Sequence, residues 1–125
     1  MMPVRLTFAA ALALGGAPAL AHGPFDGFWA FDPEICDNER GTTDLVPIMI
    51  DLPVIEGYES HCVMDRIERI AEGESWYVDL TCTGEGETWA RETLFALDRD
   101  VDGNARRLIE IDLEFGSVTV FSKCD

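Results

Sequence analysis

The spacing that most suggests chemistry lies in seven residues, Asp98-Arg99-Asp100-Val101-Asp102-Gly103-Asn104. Oxygen-bearing side chains alternate there at Asp98, Asp100, Asp102 and Asn104, and Gly103 allows the sharp bend that wraps a loop around one hard cation such as calcium. The twelfth position counted from Asp98 is Ile109, however, and Glu110, the carboxylate that could close the shell, stands one residue late. Asp, Asn and Gly are also ordinary turn formers, so the stretch reads equally as a solvated hairpin loop. His22 is a second candidate metal ligand. As the first residue after a cut at Ala21 it could chelate copper through its amine and ring, with His61, the other histidine, completing the site. The four cysteines, Cys36, Cys62, Cys82 and Cys124, contain no C-x-x-C knuckle, so disulfides explain them better than zinc.

The aspartate loop resembles the calcium loop of EF-hand proteins over those seven residues and departs from it at the closing glutamate; its flanks read as strands, where that family has helices. The His22 arrangement is similar to the copper sites of secreted polysaccharide monooxygenases and periplasmic copper carriers, with no further motif of either family. Catalytic signatures are thin. Ser60, Ser75, Ser117 and Ser122 lack a G-x-S-x-G setting, and a cysteine nucleophile needs a reduced thiol. Adjacent acids such as Glu85 with Glu87, or Glu110 with Asp112, read as solvated faces in a chain with 24 Asp and Glu. The expectation is a protein without catalysis or a resident cofactor, calcium being the one candidate.

Compartment and charge frame these residues. Met1 to Ala21 has a signal peptide's three parts: Arg5, an apolar run from Leu6 to Leu14, and the small-x-small site Ala19-Leu20-Ala21. That run is too short to span a bilayer, and no later segment approaches the required length, so no membrane insertion is expected once the leader is removed. The leader holds one of the nine basic residues and no acid; the remaining 104 residues set eight basic side chains against 24 acidic ones, a formal charge of −16. Such a balance lacks the basic footprint of nucleic-acid binding and is repelled by anionic membrane surfaces. The expected organisation is a signal peptide over 1–21 and a single disulfide-stapled β domain over 22–125, periplasmic or secreted.

The elements that must position these residues read as strands. Phe25 to Phe31 is aromatic and ends at Asp32-Pro33; Ile48 to Leu52 is a short apolar run between Pro47 and Pro53. Residues 60–71 are ambiguous, because Val63, Met64, Ile67, Ile70 and Ala71 form a helical stripe. A hairpin through Ala71-Glu72-Gly73, with Gly73 at positive φ, instead sets Cys62 opposite Cys82 against the clear alternation Trp76, Val78, Leu80, Cys82. A meander is also suggested by the echo of Glu72-Gly73-Glu74-Ser75-Trp76 in Glu85-Gly86-Glu87-Thr88-Trp89. Trp89, Thr93, Phe95 and Leu97 share one strand face, Ile109, Ile111, Leu113 and Phe115 another, and Val118 to Cys124 forms the last strand. About seven strands result, an all-β antiparallel barrel or sandwich with Cys62–Cys82 and Cys36–Cys124 bridged, since closure brings the last strand beside the first.

The aromatic set Phe25, Phe28, Trp29, Phe31, Trp76, Trp89, Phe95 and Phe115 is most economically core, although a subset could line a barrel mouth. Function is then expected to be binding: an inhibitor-like protein whose acidic surface meets a basic protein. The alternatives are a small-ligand carrier of lipocalin-like type, or a calcium- or copper-binding periplasmic protein.

Overall fold

In a computed structural model that describes residues 23–39 and 43–125, the chain forms one closed barrel of eight antiparallel strands in sequence order. The strands are β1 (Gly27–Ala30), β2 (Ile48–Asp51), β3 (Val54–Gly57), β4 (Ser60–Arg69), β5 (Ser75–Gly84), β6 (Glu87–Arg99), β7 (Ala105–Asp112) and β8 (Val118–Lys123), and β8 closes on β1. The only helix among the described residues is a 3-10 turn, Pro33–Asp37, capped by the Asp32 carboxylate on the Glu34 amide. No helix among them is long and apolar enough to cross a membrane. The leader and His22 lie outside the described residues.

The strand absent from the sequence expectation is β3. Four residues with one buried side chain, Ile55, are too few to show a period, and Pro53 hides the turn before them. Residues 60–69 are strand, not helix, and the reason for their helical stripe is a bulge. The register with β5 shifts between Met64 and Arg66, leaving Asp65 as the extra residue. Cys62 and Met64 face inward before the bulge and Ile67 after it, so a two-residue period changes phase midway and mimics a longer one. The hairpin beyond also differs from expectation: Ala71, not Gly73, takes positive φ (51°).

Both bridges are formed as expected. Cys62–Cys82 joins directly opposed residues of β4 and β5 on the inner face, with Cα atoms 4.0 Å apart, and Cys36–Cys124 ties the 3-10 turn to the residue after β8. Inside, Phe25, Trp29, Ile50, Val78, Phe95 and Leu108 are fully buried or nearly so. Phe28, Phe31, Trp89 and Phe115 are not core, contrary to the economical reading; Phe115 is 79% exposed.

A second bulge sets the phase of β7. Asp98 pairs with Arg107 but Arg99 with Ala105, so Arg106 is the inserted residue. Ala105 packs against the core, and an unbroken strand would continue inward with Arg107, Ile109 and Ile111. The insertion flips this order. Leu108 becomes fully buried, Glu110 and Asp112 follow it on the inner side, and the apolar stripe from Ile109 to Leu113 turns outward.

Candidate functional site: the mouth of the barrel

One end of the barrel is closed by the segment before β1. Phe25 fills it, packing edge-on against Trp76 (4.8 Å between ring centroids) and Phe95 (5.1 Å). The Trp29 indole donates to the Phe25 carbonyl at 2.7 Å, and the Asp26 carboxylate accepts from the amides of Gly23 and Leu52. Lys123 reaches in from β8, donating to the Asp26 carbonyl at 2.8 Å with its ammonium 4.7 Å from the Trp29 ring centroid. Burial holds the Lys123 ammonium below its usual pKa, against the opposing pull of the Asp26 and Asp125 charges. Gly27 at φ +134° makes room for this lysine, since a Cβ there would overlap Lys123 Nζ.

Towards the opposite end, the inner wall is polar. Arg91 of β6 donates to the Glu110 carboxylate of β7, and its Nε lies 3.5 Å from Asp112 Oδ2. The Glu110 and Asp112 side chains are only 12% and 13% exposed. They are not the solvated faces expected from their alternation. Asp112 Oδ1 also accepts from the amides of Phe115 (3.0 Å) and Glu114 (2.9 Å), so the carboxylate pins the β7–β8 turn. The Phe115 amide first, then the Glu114 amide and Arg91, hold its pKa below the usual carboxylate range against a smaller desolvation. Around Arg91 and Glu110 lies a cup of about 240 Å³, floored by Ile55, Cys62 and Leu80 and edged by Ser60, Thr119 and Phe121.

Above the cup, the turns β3–β4 and β5–β6 form an acidic rim. A groove of about 280 Å³ runs between Tyr58 and Trp89, lined by Glu59, Ser60, Gly84, Glu85 and Glu87. Gly84 permits the close approach, because a Cβ there would strike the Glu59 carbonyl. Both rings are exposed, Tyr58 by 49% and Trp89 by 38%. The Glu59 charge, followed by burial, a hydrogen bond to Glu59 and the charges of Asp44 and Glu85, raises the Tyr58 pKa. The rim therefore sits in a negative field, and no Lys or Arg among the described residues lines the groove.

The residues singled out by spacing lie elsewhere. Asp98 pairs with Arg107, while Asp100 accepts from the amides of Asp102 and Asn104 and from Arg106. The Asn104 amide and then Arg106 hold Asp100 below the usual range. These oxygens thus serve the β6–β7 turn, at the closed end. His61 stands on the outer face of β4, 2.6 Å from Glu56 across the strand pair. No group of three or more His, Cys, Asp or Glu side chains among the described residues is placed to hold a metal ion. The mouth itself left little trace in the sequence. The Glu-Gly-Glu echo before Trp89, and the alternative that some of the aromatic set lines a barrel mouth, were its only marks. Compared with protein-family models, curated proteins and solved structures, the chain finds no match.

Proposed function

We propose that the chain is an exported, inhibitor-like binding protein, periplasmic or secreted, whose barrel mouth receives a cationic segment of a basic protein. The observation that carries this is the rim groove, where two exposed aromatic rings stand among three glutamates. An arginine or lysine side chain entering it stacks on a ring face and meets carboxylates at once, a combination favourable for cations. Behind the rim, the cup wall carries Arg91 and Glu110, and the same guanidinium also meets Asp112, so two carboxylates outweigh one cation there. The formal charge of −15 over the whole chain extends the same field outward and speeds encounter with a basic partner.

Export is supported by the leader-like first 21 residues and by two formed disulfides, which persist in oxidising compartments. A lipocalin-like carrier of small ligands has less support. Phe25, Trp76 and Phe95 fill the closed half, and the remaining 240 Å³ cup is smaller than typical small-molecule sites of roughly 300–1,000 Å³.

Stopped-flow association with an arginine-rich peptide tests the proposal, from about 10 mM to about 1 M salt, where the Debye length falls from about 30 Å to about 3 Å. The association rate is expected to drop by roughly tenfold or more. Replacing Glu59, Glu85 and Glu87 together by Gln, or Trp89→Ala alone, is expected to weaken binding. A flat salt response, or unchanged affinity in the triple variant, overturns the proposal.

A further inference from the structure

The bulge at Arg106 has an outer consequence as well as an inner one. With β7 out of phase, Ile109 and Ile111 face away from the lumen beside Val120 and Val118 of β8 and Ala96 and Leu94 of β6. Tyr77 of β5 continues the second row next to Leu94. Leu113 and Phe115 extend the same surface past the end of β7. Val118 is 60% exposed, Tyr77 45%, Val120 44% and Leu113 42%. This face exposes on the order of 500 Å² of apolar surface, at the upper end of what monomers leave in one patch.

We propose that the outer face of β5–β8 is the contact surface of a two-fold symmetric dimer of this chain. Charge distinguishes a second copy from a basic partner. The two cross-strand rows, Tyr77-Leu94-Ile111-Val118 and Ser75-Ala96-Ile109-Val120, contain no charged side chain in a protein with 24 acids. A basic surface finds no carboxylate to meet at their centre. The rim instead carries both signs: Arg107 beside Asp98 at one end of β7, Glu114 past the other, and Arg66 with Glu68, Asp79 and Glu92 along the row beyond Tyr77 and Leu94. Such a rim is self-complementary. A two-fold axis lying across the strands brings Arg107 of one copy towards Glu114 of the other, while the apolar rows cover each other. Two-fold dimers are the commonest closed assembly, and a standard interface takes about 800 Å² from each partner, an area that an apolar centre with a charged rim supplies in such complexes.

Sedimentation equilibrium of the oxidised chain, from low micromolar to submillimolar concentration, tests this. A reversible monomer–dimer equilibrium is expected, and it tightens as salt rises, because screening relieves repulsion between two acidic copies. Binding at the mouth shifts the opposite way with salt, so failure of one proposal is distinguishable from failure of the other. The double variant Phe115→Lys/Val118→Lys is expected to weaken the dimer at least tenfold while its far-ultraviolet circular dichroism and unfolding midpoint stay unchanged. Added lysines lower the overall negative charge, so weakening must come from the contact and not from global repulsion. Val120→Lys alone gives a second reading of the same surface. The mass of one chain at every concentration, or a dimer equally tight in folded lysine variants, overturns the proposal.

Discussion

Phe25 and Phe31 stand six residues apart in one aromatic stretch, and the barrel treats them oppositely. Phe25 is fully buried with two edge-on ring contacts, whereas Phe31 is 58% exposed just past the end of β1. Truncating Phe25 to Ala removes a whole ring from the closed end and leaves a cavity walled by Trp76 and Phe95, side chains too constrained by their strands to collapse into it. Buried Phe→Ala changes cost about 3–5 kcal/mol, and two edge-to-face contacts worth roughly 0.5–1.5 kcal/mol each place this one in the upper half of that range. Phe31→Ala is expected within about 0.5 kcal/mol of the parent, as for ordinary surface changes. For a domain of this size, about 4 kcal/mol is roughly a quarter or more of total stability. Urea unfolding with disulfides intact, followed by tryptophan fluorescence, measures both variants against the parent. Equal effects of the two substitutions, or a loss below about 1 kcal/mol for Phe25→Ala, would refute the placement of Phe25 as the plug.

Other consequences are as sharp. Gly27→Ala must force both a left-handed backbone and an overlap with Lys123, so a loss of about 1–3 kcal/mol in the same urea assay is expected, with Phe28→Ala on the exposed side as a mild control. Asp112 has a folded pKa below its unfolded value, so its stabilisation is complete above the unfolded pKa of about 3.9 and disappears as pH falls through the folded one. Urea midpoints at neutral pH and near pH 3 should therefore fall less in Asp112→Asn than in the parent, and equal falls would sever that link. Loop entropy predicts about 3.3 kcal/mol from Cys62–Cys82 (separation 20) and about 4.6 kcal/mol from Cys36–Cys124 (separation 88), testable with paired Cys→Ala variants.

Much of the scaffold could be read from residue order. The alternation of Trp76, Val78, Leu80 and Cys82 specified β5 and its buried face; the three-residue hairpin expected from the sequence also set Cys62 opposite Cys82, a pairing the structure reaches with a turn one residue longer, offset by the bulge at Asp65. Two of the misread places, β4 and β7, share one cause. Side-chain alternation reports a face only while the ladder is continuous, and an inserted residue reverses it. Asp65 made β4 look helical, and Arg106 made β7 look as though its isoleucines lined the core. Neither residue type announces a bulge; each became visible only against the register of its partner strand. The mouth was hidden by that second reversal, since Glu110 and Asp112 turn inward only because Arg106 is inserted. Conversely, the aspartate spacing from Asp98 to Asn104 serves a turn, the carboxylates of Asp98 and Asp100 taken by arginines and amides.

The barrel is closed unevenly. β1 and β8 are joined by two register pairs, Trp29 with Lys123 and Ala30 with Ser122, whereas β5 and β6 share ten. A zipper with one short run of teeth parts there first, so amide protons of β1 and β8 should exchange with solvent through local opening well before those of β5 and β6. Cys36–Cys124 lies just beyond this run, where the Cys124 amide donates to the Phe28 carbonyl. It acts as a leash: the seam can breathe, but the two strands cannot drift apart. Cut the leash by reduction, and an opened seam presents two bare strand edges, the kind of surface on which further chains add. Oxidation at this one bond then separates a barrel that flickers open and shut from one that can recruit its neighbours.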